Sequence, residues 1–216
     1  MSKLVWDQSG EKFYETGVEQ VALFVKESTG YANGVAWNGI TAFNINPTGA
    51  EPTALYANNK KYLSIMSAEE TGGTIEAYMY PDAWAACDGS ASPVEGVYVG
   101  QQPRKAFGLV VKTLIGNDTD FNRKGYKLHI VYEALASVSE KSYSSVNDSP
   151  EVDPFSWEFT TTPVDVDGYE PTAYICIDST KADATKLAAL EAMLYGSESE
   201  EATLPDIDTV ISMMKA

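Results

Sequence analysis

FSWEFTTT, residues 155–162, sets Phe155, Trp157 and Phe159 on one side of an extended chain and Ser156, Glu158 and Thr160 on the other. YKLHIVYE, residues 126–133, repeats the pattern, with Tyr126, Leu128, Ile130 and Tyr132 opposite Lys127, His129, Val131 and Glu133. A period of two with large side chains on one face marks a half-buried strand. FGLVVKTLI (107–115) is more continuously apolar and predicts a strand covered on both faces. EQVALFVK (19–26), GVAWNGITAFNIN (34–46), KYLSIM (61–66), GGTIEAYMY (72–80) and TAYICID (172–178) complete the strand candidates. Gly, Asn, Asp, Ser or Pro clusters separate most of them. Strand after strand with little helix between predicts a mainly β fold of antiparallel sheets, a sandwich or barrel.

Two helices are expected, both late in the chain. In DATKLAALEAMLYG (183–196), Leu187, Leu190 and Leu194 recur at helical spacing, Asp183 suits the N-cap and Gly196 the C-cap. This helix, 184–195, flanks the β domain, which is read as residues 1–196. The acidic linker GSESEEATLPD leads into a short terminal helix, so 197–216 reads as a linker and arm. Pro205 suits the first helical position, with Asp206 and Asp208 in the first turn. Ile207, Val210, Ile211 and Met214 form an apolar stripe. So short a helix is marginal alone; it needs a surface to dock on, in its own subunit or the next. Long loops are expected at 47–59, 89–105 and 134–153, as extensions that reach other chains.

A chain of 216 residues, 44% apolar and 21% charged, suffices for a domain with a real core. Its net charge of −16 is uneven: residues 1–133 carry 15 acidic and 11 basic side chains, residues 134–216 carry 16 and 4. Such acidity argues against a general nucleic-acid binder. Cys87 and Cys176 have neither a disulfide-framework nor a metal-type spacing and read as free thiols in a reducing cytoplasm. No stretch approaches the ~20 apolar residues of a membrane span, and the N-terminus lacks a signal-peptide core.

The catalytic inventory is thin. His129 is the only histidine, and a lone strand histidine reads as a surface or interface residue rather than a base. There is no phosphate-cradling or dinucleotide motif. DVDGYE (165–170) fails as a calcium loop, because Pro163 and Tyr174 would fall where carboxylates are required. GNDTD (116–120) and VNDSPEVD (146–153) are acidic strings that read first as turns. The expectation is a non-enzyme with no catalytic or metal residues and no cofactor.

GGTIEAYMYPDAW (72–84) carries Tyr78, Tyr80 and Trp84 and supports two readings. The aromatics could stack on a sugar, or fill a core or a subunit contact. Ile75, Ala77 and Met79 already give the strand an apolar face toward its own core. Tyr78 and Tyr80, on the opposite face with Thr74 and Glu76, are therefore assigned to a subunit interface.

Taken together, NGVAWNGITAFNINPTGAEPTALYANNKKYLSIMSAEETGGTIEAYMYPDAW (33–84), FGLVVKTLIGNDTD (107–120), GYKLHIVYEALA (125–136), SYSSVNDSPEVDPFSWEFTTTPV (142–164) and YEPTAYICIDSTKADATKLAALEAMLYG (169–196) resemble, in order, blocks of the major tail (tail tube) proteins of long-tailed phages infecting Gram-positive bacteria. The resemblance spans roughly residues 13–196. It implies a β-sandwich-type domain with a flanking helix, assembled into rings, usually hexameric, that stack into a tube for genome ejection. The implied partners are other copies of the chain, the tape measure, terminator and distal tail proteins, and double-stranded DNA that passes without specific binding. The implied place is the virion tail, after synthesis in the bacterial host cytoplasm. Lumen-facing candidates come from the polar strand faces: Thr74, Glu76, Glu133, Ser156, Glu158 and Thr160. Interface candidates are Tyr78, Tyr80, Ile207, Val210, Ile211 and Met214. The alternatives are a tube protein of a phage-derived particle or contractile injection system, and a monomeric carbohydrate-binding or adhesive β domain.

Overall fold

A computed structural model describes residues 3–145, 148 and 152–215, so most of the acidic string at 146–153 lies outside it. In chain order the first strands are β1 (Tyr14–Glu27), β2 (Gly30–Tyr31), β3 (Val35–Trp37), β4 (Ile40–Ile45), β5 (Thr48–Gly49), β6 (Pro52–Ala57), β7 (Lys60–Met66), β8 (Glu69–Glu70) and β9 (Gly72–Ala77). A one-turn helix α1 (Trp84–Cys87) precedes β10 (Ala91–Val94), β11 (Val97–Val99), β12 (Phe107–Asn117), β13 (Phe121–Ala136) and β14 (Phe155–Thr161). The chain closes with β15 (Val164–Val166), β16 (Tyr169–Thr172), β17 (Tyr174–Asp178), α2 (Ala184–Tyr195) and α3 (Ile207–Lys215). The fold is mainly β and antiparallel, as the alternating patterns predict.

Nine strands form one sheet in the order β2-β1-β12-β13-β14-β9-β4, with β3 also on β1 and β17 also on β13. Strand β13 is where this sheet forks. Residues 127–131 pair with β17, and Ala134–Ala136 pair with β14. Between the two stretches β13 carries one extra residue against β12, since Phe107 pairs with Ala134 but Leu109 with Val131. Glu133 takes a left-handed φ of 47° there. A bulge of this kind bends and twists its strand and leaves one N–H without a ladder partner. Tyr31 fills the gap: its hydroxyl accepts from Glu133 N at 2.9 Å and donates to the Glu133 carboxylate at 3.1 Å.

The two faces of the forked sheet hold separate cores. On one face, Leu23, Val111, Val131 and Phe107 pack against Ile75, Trp157 and Phe159 of the folded-over half, with Trp37 and Trp84 between. On the other, Val110, Leu128, Ile130 and Tyr132 are covered by Leu187, Leu190 and Leu194 of α2 and by Leu204, Ile207 and Val210. Strands β12 and β13 are therefore covered on both sides, as the run FGLVVKTLI predicts for β12. For β13 the alternating pattern predicted only one buried face, which the helices cover, and the folded-over half of the sheet buries the second at His129 and Val131. Asp183 caps α2, accepting from Thr185 N and Lys186 N at 3.0 Å each.

Three expectations are corrected here. Ile207 and Val210, assigned to a subunit contact, are 3% and 1% exposed in the chain's own second core. Ile211 and Met214 pack against the same cluster. The terminal segment is thus docked on its own domain, because α2 and β13 offer the apolar surface that its stripe requires. Asp206 lies before the helix rather than in its first turn, and its carboxylate caps α3 by accepting from Thr209 N at 2.7 Å. Met79, expected to face the core, is 67% exposed because β9 stops at Ala77. Beyond it Tyr78 N bonds to Gly39 O at 2.9 Å, and the Met79 carbonyl accepts from Trp37 Nε1 at 2.9 Å.

Candidate assembly surfaces

Five of the six lumen candidates share one sheet face. Glu76 pairs with Ser156 and Ala42, Thr74 with Glu158 and Asn44, and Thr160 with Gly72. Alternation puts these side chains opposite the buried Ile75, Trp157 and Phe159. Ser156, Glu158 and Thr160 are exposed, and Thr74 and Glu76 are half-buried. Strands β4, β9 and β14 contain no lysine or arginine, so the face is polar and net negative. Glu133 does not belong to it. The bulge turns its carboxylate to Lys26, with which it forms an ion pair, and to Tyr31.

The interface tyrosines part company. Tyr78 is 51% exposed. Tyr80 is half-buried, with its ring edge-on to Phe155 and Trp157 at centroid distances of 5.8 and 5.6 Å and Lys141 Nζ 4.8 Å above it. Trp84, the third member of the sugar-platform reading, is fully buried on α1. The three aromatics therefore form no exposed platform.

Sequence reading found KYLSIM as a strand but missed the exposed apolar hairpin it belongs to. Residues 47–59, expected as a loop, contribute β6, which pairs with β7 in a hairpin that is a sheet of its own. Asn58 and Asn59 at its tip have φ of 51° and 59°, the left-handed pair that a two-residue hairpin turn demands and that asparagine tolerates. That Asn-Asn between two apolar runs was the available signal. Cross-strand pairing puts Leu55 opposite Leu63 and Thr53 opposite Ile65. Leu55, Leu63 and Ile65, on one face of the hairpin, are 42%, 39% and 55% exposed. A second hairpin, β10–β11, exposes Val94, Val97 and Tyr98, and the N-terminal segment exposes Leu4, Val5 and Trp6.

These projections show in the surface total. The chain exposes 13981 Å², whereas a folded monomer of 23.4 kDa is expected to expose about 9,700 Å².

His129 is the principal titratable surprise. It is buried rather than at the surface, because the β4 side of the sheet folds over it: Phe43 lies 6.3 Å away between centroids. Its Nε2 lies 2.8 Å from Thr113 Oγ1 and its Nδ1 2.7 Å from Tyr174 Oη. Both partners are hydroxyls, so a neutral ring is satisfied in either tautomer. Burial lowers its pKa, the nearby Glu15 charge opposes this and Lys127 reinforces it. A lowered folded value means the unfolded chain binds the proton more readily. The stabilisation from a neutral His129 is therefore complete above the unfolded pKa of about 6.5 and is lost as pH falls from there through the lowered folded value. Urea midpoints are expected to drop between pH 7.5 and 5.5, and His129→Gln is expected to flatten that slope.

Cys87 is buried, its thiol pushed up to about 12 by burial, and Cys176 is exposed on β17; both are free. Among the described residues no group of three or more His, Cys, Asp or Glu side chains converges to hold a metal ion, and no helix is long and apolar enough to cross a membrane. GNDTD is a turn, in which Asn117 Oδ1 accepts from Thr119 N at 3.2 Å and Asp120 N at 2.5 Å while Asp118 ties down Gly10 N at 3.0 Å. No family model matches the chain, and no curated protein matches it.

Proposed function

We propose that this chain is a structural virion protein, the subunit of a phage tail tube, which self-assembles into stacked rings that conduct the genome into the host. The observation that carries the reading is the pair of unlike apolar surfaces at opposite ends of β9. The β6–β7 hairpin leaves where β4 stops and β9 starts; Tyr78, Met79 and the β10–β11 hairpin follow the other end. A contact between two unlike surfaces is heterologous, and repeating it builds a ring or an open stack rather than a closed pair.

The bare face of β4, β9 and β14 then lines the lumen. Double-stranded DNA carries about one charge per ~1.7 Å of axis, and a face of Ser, Thr, Asn and Glu offers no cation to hold it. Screening confines the repulsion to ~8 Å at physiological salt, so the few residues on this face decide whether DNA slides. The tape measure, terminator and distal tail proteins would engage the surfaces left free at the ends of the stack. In this reading the mature location is the virion tail.

Negative-stain images of the concentrated full-length chain are expected to show rings or tubes. Tyr78→Ala is expected to reduce their yield about ten-fold, the loss typical of an exposed aromatic that becomes an interface anchor, without changing thermal stability. A strictly monomeric chain retained on a glycan column would overturn the proposal in favour of a carbohydrate-binding domain.

A further inference from the structure

A groove of about 460 Å³ runs between the β1–β2 turn, the start of β15 and the first turn of α3. Tyr132 lines it with a side chain only 3% exposed, and its hydroxyl has no hydrogen-bond partner. A buried polar group left unpaired is costly, and each one calls for an explanation. Four carboxylates surround the groove, Glu133, Asp165, Asp206 and Asp208, against the single ammonium of Lys26. Glu133 is taken up by Lys26 and Tyr31. Asp206 and Asp208 each accept a backbone N–H through Oδ1, at 2.7 and 3.0 Å, which leaves each a second oxygen. The groove already holds one cation in the manner it would hold another: Lys26 Nζ lies 4.7 Å from the Tyr31 ring centroid beside a carboxylate.

We propose that this groove binds an alkylammonium or guanidinium group, with Tyr132 Oη accepting one of its hydrogens and Asp165 and Asp206 balancing its charge. An anion would meet net negative charge. A metal ion would need converging carboxylates, and the described residues do not supply them. An organic cation needs only acceptors at its rim and an aromatic wall, and its N–H supplies the donor that the phenol oxygen lacks. Such a head group arrives free, as a small amine, or on a lysine or arginine of another chain.

Saturation-transfer NMR on the full-length chain tests this, because it works for monomers and assemblies alike. The probes are n-butylammonium, ethylguanidinium, n-butanol as the uncharged control, and a short lysine-bearing peptide with blocked ends. The two cations are expected to bind at 150 mM salt and butanol is not. Tyr132→Phe is expected to weaken them about ten-fold, as for a lost bond to a charged group. Asp165→Asn, at an exposed position that the fold does not need, is expected to weaken them about three-fold. A peptide that binds more tightly than butylammonium identifies a protein side chain as the source, and equal affinity identifies a free amine; either supports the proposal. Butanol binding as well as the cations, or unchanged affinity in both variants, would overturn it.

Discussion

Trp84→Ala is expected to cost about 3–5 kcal/mol of folding stability, the usual loss when a fully buried large aromatic is truncated. The side chain is 0% exposed. Its ring centroid lies 4.6 Å from that of Trp37, 4.9 Å from Phe107 and 5.5 Å from Trp157. These neighbours come from β3, β12 and β14, so one cavity would weaken three strands together. Domains of this kind hold only about 5–15 kcal/mol in all, and the variant would sit near the edge of folding at 37 °C. Urea denaturation checks the figure; a loss below about 1.5 kcal/mol would mean that α1 moves inward and closes the hole.

Leu55→Ser combined with Ile65→Ser is expected to do the reverse: leave the fold intact and abolish tubes. Both residues lie on the β6–β7 hairpin, which shares no ladder with the main sheet, and both are already exposed in the single chain. Burying an aliphatic side chain contributes about 1.5–3 kcal/mol. If assembly covers both, the pair contributes on the order of 3–6 kcal/mol per contact, and its loss raises the concentration needed for assembly more than ~100-fold. Sedimentation and electron microscopy read the assembly, and thermal melting reads the fold. Tubes at the wild-type concentration would show that the hairpin is not part of the contact.

The sequence was legible where one residue type settles one local question. Alternation at 155–162 set the faces of β14, and leucine spacing with Asp183 and Gly196 set α2 to the residue. It was less legible where structure depends on partners remote in the chain. The bulge at Glu133 has no local signature; its completing hydroxyl, on Tyr31, lies 102 positions away. The stripe on α3 showed that something must cover it, but not that the cover includes Leu190 and Leu194 of its own chain. Helix α1 has four residues and no side-chain cap, so neither periodicity nor capping could announce it. His129 read as exposed because its strand alternates, while the cover over it is the β4 half of the sheet. Of the candidate surfaces, the polar face of β9 and β14 was visible in advance, since a pleat fixes it; of the hairpin only the KYLSIM strand was, because the Asn58-Asn59 turn that pairs it with β6 was read as part of a loop.

The bulged strand β13 has a consequence for how the molecule comes apart. Leu128, Ile130 and Tyr132 belong to the helix-covered core and Val131, Ala134 and Ala136 to the aromatic one, so both depend on the same backbone. Helices α2 and α3 cannot peel away together without uncovering the first three of these residues, and the tryptophan cluster cannot loosen without releasing the strand on which the helices rest. Melting should therefore be a single cooperative transition in which near-ultraviolet and far-ultraviolet signals coincide.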